Sequence, residues 1–371
     1  MTRFPFLRPK LVTAEELLPY LRQMDKTRVY SNFGPLNAEF EARIMARYFG
    51  NDGAAVTVHN ATVGLMLAVK AAMRPKGRFA VMPSFTFAAT AQAALWCGLQ
   101  PYFVDVRPGD FCVDDEKILD TVAELGDEVG VVMPYAAFGT SCDLKVYSEL
   151  QMRGIPVVVD AAASFGTRED DQQFGRGFPG FVVFSFHATK AFGIGEGGLV
   201  YSSNPESIRH VRQASNFGFS AERRSEVQGL NGKLSEYGAA VGLAALDRYE
   251  ARIDRREAIY RAYVDAMSRR KMRDRGWELQ ATTGRIAHQF MSVLCPTGID
   301  RERLILDLDR GGVQVRTYFS PPCHQHPVFS HCPRTLLTVT DELSARIINM
   351  PMWDDMADDD VDAVVEALAS S

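Results

Sequence analysis

No apolar run in this 371-residue chain reaches the ~20 residues that a membrane-spanning helix needs. The N-terminal stretch Met1-Thr2-Arg3-Phe4-Pro5-Phe6 meets Arg8, Pro9 and Lys10 too soon to hold a signal-peptide core. An excess of one charge is also missing. The 41 basic and 46 acidic side chains are mixed along the chain and leave a net charge of −5, which gives no argument for nucleic acid or an anionic membrane as partner. The six cysteines (Cys97, Cys112, Cys142, Cys295, Cys323, Cys332) form no C-x-x-C pair. In a chain of this length they read as free thiols of a reducing compartment, so a cytoplasmic protein is expected. Internal repeats and low-complexity segments are absent too, which leaves an ordinary globular chain long enough for two domains.

Zinc-type ligands gather in one place, Cys323-His324-Gln325-His326 followed by His331-Cys332. Pro322 and Pro327 interrupt the segment, and neither C-x-x-C nor H-x-x-x-H spacing occurs. A loop beside the functional site is expected there, and no metal.

From about residue 54 to 217, short valine-rich runs alternate with helical segments. The strand candidates are 54–58, 78–82, 100–104, 130–133, 155–159, 180–184 and 198–202. They are apolar on both faces, as strands buried beneath helices are. Helical segments at 62–73, 87–97, 115–124 and 143–153 fall between them. The alternation predicts an α/β fold with a mostly parallel, seven-stranded sheet between helices. A helix at 14–24 precedes it. The charged stretch 246–275 reads as one long helix with a solvated face, because its charges mix in sign at i, i+3 and i+4. Residues 1–249 are expected to form an N-terminal segment and a large domain. Residues 250–371 are expected to form a smaller α+β domain, with apolar runs at 288–294 and 313–315 and a last helix at 360–368.

Against this frame one lysine stands out. Lys190 ends Ser185-Phe186-His187-Ala188-Thr189-Lys190, and the run Gly193-Ile194-Gly195-Glu196-Gly197-Gly198 follows it. Asp160 ends the apolar run Ile155-Pro156-Val157-Val158-Val159 thirty residues upstream. A carboxylate at a strand end, with a serine and a lysine in a loop between strands, suits pyridoxal 5′-phosphate (PLP). The lysine amine forms a Schiff base with the cofactor aldehyde. The carboxylate keeps the pyridine nitrogen protonated, so the ring accepts electrons. Spacing alone equally fits a surface lysine and a helix-capping aspartate.

PLP also needs a phosphate site and ring contacts. His59-Asn60-Ala61-Thr62-Val63-Gly64 lies where a strand gives way to a helix, and a helix N-terminus attracts phosphate. Thr62 adds a hydroxyl, or caps the helix. Ser185 offers a second hydroxyl. Phe87, in Ser84-Phe85-Thr86-Phe87, opens the next helix and either stacks on the ring or belongs to the core.

Together these residues resemble the DegT/DnrJ/EryC1/StrS family of sugar aminotransferases, which are fold-type I PLP-dependent transferases. The resemblance runs from Arg8-Pro9 to the last helix. It rests on Gly34-Pro35 with Phe40-Glu41, on Asn60-Ala61-Thr62-Val63-Gly64-Leu65 and on Pro83-Ser84-Phe85-Thr86-Phe87-Ala88-Ala89-Thr90. Asp160-Ala161-Ala162, the Ser185–Lys190 segment and Gly229-Leu230-Asn231-Gly232-Lys233 with Ala239-Ala240 complete it.

The resemblance implies roles. Lys190 would carry the cofactor and move the proton, and Asp160 would pair with the ring nitrogen. Ala61, Thr62 and Ser185 would hold the phosphate and Phe87 would stack on the ring. Asn231 would reach the phosphate of the neighbouring subunit, so a homodimer is implied. The substrate would lie near Phe33, Gly34 and Pro35, near His187, and near Arg316 and Tyr318 with His324 just beyond. Ala163 stands where the family commonly has Gln or His on the second ring face. Related sugar dehydratases replace the lysine by histidine, and Lys190 is present here.

The implied reaction moves an amino group from an amino acid, with L-glutamate as expected donor, to a nucleotide-linked keto-deoxy sugar. The alternatives are a non-nucleotide ketone, such as a cyclitol or aromatic precursor, and a PLP-binding regulator without turnover.

Overall fold

A computed structural model describes residues 2–370. Met1 and Ser371, the outer ends of the two expected domains, lie outside the described residues. The chain begins with α1 (Ala14–Thr27) and α2 (Pro35–Ile44), then β1 (Ala54–Val58), α3 (Ala61–Ala72), β2 (Phe79–Pro83), α4 (Ala88–Trp96) and β3 (Gln100–Val104). It continues through α5 (Asp115–Leu125), β4 (Val129–Val132), α6 (Lys145–Met152), β5 (Val158–Asp160), the short ribbon β6 (Arg168–Glu169) and β7 (Gln172–Gln173), β8 (Phe181–Ser185), β9 (Gly198–Ser202), α7 (Pro205–Ala214) and α8 (Glu236–Leu246). The last part holds α9 (Tyr249–Arg269), β10 (Glu278–Leu279), β11 (Met291–Leu294), α10 (Arg301–Arg310), α11 (Thr338–Arg346), β12 (Ile347–Met350) and α12 (Asp358–Ser370).

The expected α/β architecture is present. The central strands form a four-stranded sheet, β1-β9-β8-β5, and a three-stranded sheet, β3-β2-β4. Isolated parallel bridges between Val132 and Val157 and between Tyr135 and Asp160 join the two. β9 runs antiparallel to both neighbours, while β5 is parallel to β8 and β2 is parallel to β3 and β4. Every residue of β2, β8 and β9 is buried, which is why those runs carry no polar alternation. This arrangement brings the carboxyl ends of β1, β5 and β8 and the start of β9 to one edge, where ligands of such sheets bind.

Local chemistry sets the helix starts. Asn60 caps α3, Asp114 caps α5, and Thr13 with Glu16 forms a capping box on α1. No helix among the described residues is long and apolar enough to cross a membrane.

The stretch 246–275 is not one helix. α8 ends at Leu246, Arg248 leaves helical geometry, and α9 ends at Arg269. Its face is also less solvated than its charges imply. Arg256 is 6% exposed and reaches Asp354 at 3.3 Å, and Glu250 takes Arg168 at 2.8 Å and Arg285 at 3.0 Å. The mixed signs serve contacts with other segments as well as water.

After α9, β10, β11 and β12 form an antiparallel sheet in that order. The N-terminal segment packs against this part of the chain. Phe4 N–H donates to Gly312 O at 2.8 Å, and Gln314 N–H donates to Phe4 O at 2.9 Å. One continuous hydrophobic cluster extends from Phe4 through the central sheet to Leu368.

Residue 105 fastens the central sheet to α11. The buried Asp105 carboxylate accepts N–H bonds from Val106, Val339 and Thr340, the Thr340 hydroxyl, and Lys117 Nζ at 3.2 Å. Burial pushes its pKa up, but the donors prevail and hold it below the usual carboxylate range.

Candidate active site

A cavity of about 440 Å³ opens at the carboxyl edge of the sheet, and Lys190, Asp160, Ser185, Thr62, Ala61 and Phe87 all line it. Six residues chosen from the sequence therefore meet in one place.

Lys190 sits in a turn closed by its own N–H bonding to His187 O at 2.9 Å. Its side chain is partly exposed into the cavity, and Nζ donates to Gln289 Oε1 at 3.2 Å. Burial of the amine pulls its pKa down to about 8, against an opposing pull from Asp160. Asp160 is 2% exposed. Its Oδ2 accepts the Thr90 hydroxyl at 2.6 Å and its Oδ1 accepts the Ala162 N–H at 3.1 Å. Burial raises its pKa despite these bonds and the nearby lysine. A buried carboxylate in this condition suits a cationic partner entering the cavity.

The phosphate end is built from the start of α3. Asn60 Oδ1 accepts the Val63 N–H at 2.9 Å and Asn60 O accepts the Gly64 N–H at 3.0 Å. Asn60, not Thr62, is thus the cap. This leaves the Ala61 and Thr62 N–H groups without intrahelical partners and the Thr62 hydroxyl unused for capping. Ser185 pairs in register with Gly198. A Cβ at Gly198 would stand 2.9 Å from Ala61 N, so glycine is what lets β9 pass so close to the helix start. Ser185 is thereby held beside that N-terminus, ready to add a hydroxyl. These residues fit a phosphate, and Lys190 with Asp160 fits an aldehyde and a protonated pyridine nitrogen. Phe87 adds an aromatic ring that is 58% exposed.

The remaining expected residues divide. His187 and Tyr318 line the cavity. Ala163 is buried, and its neighbour Ala162 forms the wall instead. Phe33 lines a separate groove with Asn37, Glu41 and Arg212. Gly34 is buried against Val29 and Glu236, and Pro35 is exposed at the start of α2. Arg316 is exposed beside the Phe6 ring. His324 is buried, with Nδ1 2.8 Å from Ser84 Oγ and Nε2 3.2 Å from Asp341. Asn231 is exposed and accepts from Lys233 Nζ at 2.8 Å. None of these seven lines the cavity formed by this chain.

Several residues in or behind the cavity wall carried no usable signal. Thr90 orients Asp160 and bonds Thr86 Oγ1 at 2.8 Å, and only its i, i+4 spacing from Thr86 hinted at a shared face. Glu196 lies in the glycine run, 3.7 Å from His187. Gln289 arrives from the other end of the chain, inside the apolar run 288–294. Phe6, Tyr135, Phe138, Phe290 and Phe319 complete the aromatic wall.

A lysine amine whose pKa is lowered to about 8, a buried carboxylate and a phosphate-ready helix start on this sheet are the parts of a PLP-dependent enzyme's site. More particularly, the chain belongs to the DegT/DnrJ/EryC1/StrS aminotransferase family, whose sequence profile matches residues 12–369. It is 33% identical over 376 residues to protein Rv3402c of Mycobacterium tuberculosis, covering 99% of this chain and 89% of that one. It is 27% identical to the dTDP-4-amino-4,6-dideoxy-D-glucose transaminase of Shigella dysenteriae, over 97% of this chain and 96% of the relative. Among solved structures, DesI in the presence of its TDP-sugar product superposes with a TM-score of 0.89 at 32% identity, covering 100% of this chain and 94% of that chain. The family and the structural neighbours imply PLP as cofactor.

Proposed function

We propose that this protein moves an amino group from an amino acid, L-glutamate, to the keto group of a nucleotide-linked deoxy sugar, with PLP as cofactor. The observation that carries the proposal is the Lys190 amine, lowered to about 8, sharing a cavity with the buried Asp160 carboxylate. The sugar class is supported by the relatives: the Shigella protein is a dTDP-sugar transaminase, and DesI was solved with a TDP-sugar.

PLP, when bound, supplies an electron-withdrawing ring that makes the α-proton of an amino acid acidic. The chain supplies the rest. Ala61, Thr62 and Ser185 would hold the phosphate. Asp160, fixed by Thr90 and Ala162, would hold a proton on the ring nitrogen. Lys190 is neutral often enough near pH 8 to take the α-proton and deliver it again. His187 and Tyr318 stand where a substrate would meet the cofactor. We place residues 1–249 in the large cofactor-binding domain and 250–371 in the smaller one. The working unit is a homodimer in the cytoplasm, with Asn231 completing the neighbour's phosphate site. Its exposure and its absence from the lining of its own chain's cavity support that placement.

The test is a pair of half-reactions. L-Glutamate added to PLP-loaded protein is expected to bleach the aldehyde-form spectrum to the amine form. A dTDP- or UDP-linked keto sugar should then restore it, while a cyclitol ketone should not. Restoration by the cyclitol alone would move the substrate class away from nucleotide sugars.

A further inference from the structure

The Lys190 amine has one hydrogen-bond partner in the cavity wall, and it comes from a segment one hundred residues away. Gln289 Oε1 accepts from Nζ at 3.2 Å, while Gln289 Nε2 donates to Thr189 O at 3.2 Å. The Thr189 carbonyl can only accept, so it fixes which end of the amide faces the lysine. The Gln289 side chain itself has little freedom. The residue is 6% exposed, and its backbone carbonyl accepts from Arg256 Nη2 at 3.3 Å. Arg256 is tied to Asp354. The preceding residue, His288, stacks on Tyr260 at 3.9 Å and reaches Glu257 at 3.1 Å.

We propose that Gln289 is a positioning residue for the amino-transfer reaction: its Oε1 receives the Lys190 amine whenever that amine is free and fixes the direction in which Nζ exchanges protons. This rests on the transaminase reading given above. A free lysine head on a four-carbon stem samples many orientations, and misplacing a proton carrier by about 1 Å costs roughly 100-fold in rate. The amide neither gains nor loses a proton in the cycle. It accepts one Nζ–H bond while another Nζ position takes the proton from substrate carbon and returns it.

The choice of glutamine follows from charge. A carboxylate at this position would stabilise the ammonium and make Lys190 a weaker base near neutrality. An amide of the same size anchors the amine without that effect. Asp160 is then the charged group acting on the lysine, and it lifts the lysine pKa only partly against burial.

Two variants and two readouts test this. The first readout is the pH dependence of Lys190 acetylation by acetic anhydride in cofactor-free protein, mapped by mass spectrometry. The second is kcat and KM of the PLP-loaded protein. The wild type should show a midpoint near pH 8. Gln289→Glu should move that midpoint up by about one unit or more, lower kcat at neutral pH and regain it in alkali. Gln289→Leu should lower kcat by about 10- to 100-fold, with KM for the amino-acid donor within about twofold. If Gln289→Leu fails to fold, Gln289→Glu carries the test, since it keeps the volume and an acceptor. Wild-type kcat in both variants, or an unmoved midpoint in Gln289→Glu, overturns the proposal. Wild-type protein that never links PLP to Lys190 overturns the transaminase reading itself, and this inference with it.

Discussion

Lys190→Ala protein is expected to fold as the wild type does and to lose at least about 10⁴-fold in kcat. Folding should survive because the structure gives this side chain little to do. It makes one hydrogen bond, to Gln289, and burial disfavours its charge. PLP should still be retained through Thr62, Ser185 and the start of α3, because that half of the site does not involve the lysine. The expected result is therefore a separation: wild-type circular dichroism and bound cofactor, without turnover and without the near-visible absorbance of lysine-bound PLP. Turnover within about tenfold of the wild type would remove Lys190 from the mechanism. Loss of folding would instead assign it a structural role that its contacts do not suggest.

Asp160→Asn separates charge from shape. The amide oxygen can still accept the Ala162 N–H. Thr90 can turn its hydroxyl hydrogen toward Thr86 Oγ1, 2.8 Å away, and accept from the new amide. What is lost is the negative charge. The expected fall in kcat is about 10²- to 10³-fold, the scale of removing one pre-organised electrostatic partner. Stability should move the other way. Burial raises the Asp160 pKa in the folded state, so the cofactor-free wild type loses stability as pH rises through that value. The asparagine variant has no such loss and should be at least as stable at neutral pH in urea unfolding. PLP should then stabilise the wild type more than the variant. A variant with wild-type kcat would mean that this carboxylate does not serve the ring nitrogen.

How much of this was legible in the sequence depended on distance along the chain. β1, β3 and β9 begin and end where their apolar runs do, because each is bounded by turn residues and buried on its inner faces. The cofactor half of the site was readable for the same reason: Thr62, Asp160 and Ser185 sit at or just past the ends of β1, β5 and β8, which run in one direction with the antiparallel β9 between β1 and β8. What stayed hidden is what tertiary packing supplies. Gln289 and Phe319 reach the cavity from the last third of the chain with no local pattern to mark them. Phe6 arrives because residues 4–6 pair with 312–314, a contact across almost the whole sequence. Arg256 looked like one of many solvated charges and is buried, since periodicity reports which residues share a face but not what covers it. His324, which the resemblance set near the substrate, lies outside the cavity lining and ties Ser84 to Asp341.

Borohydride reduction of the PLP-loaded protein, followed by digestion and mass mapping, tests the central claim most directly. The account predicts one reduced phosphopyridoxyl group, on Lys190. A label on any other lysine, or none at all, would contradict it.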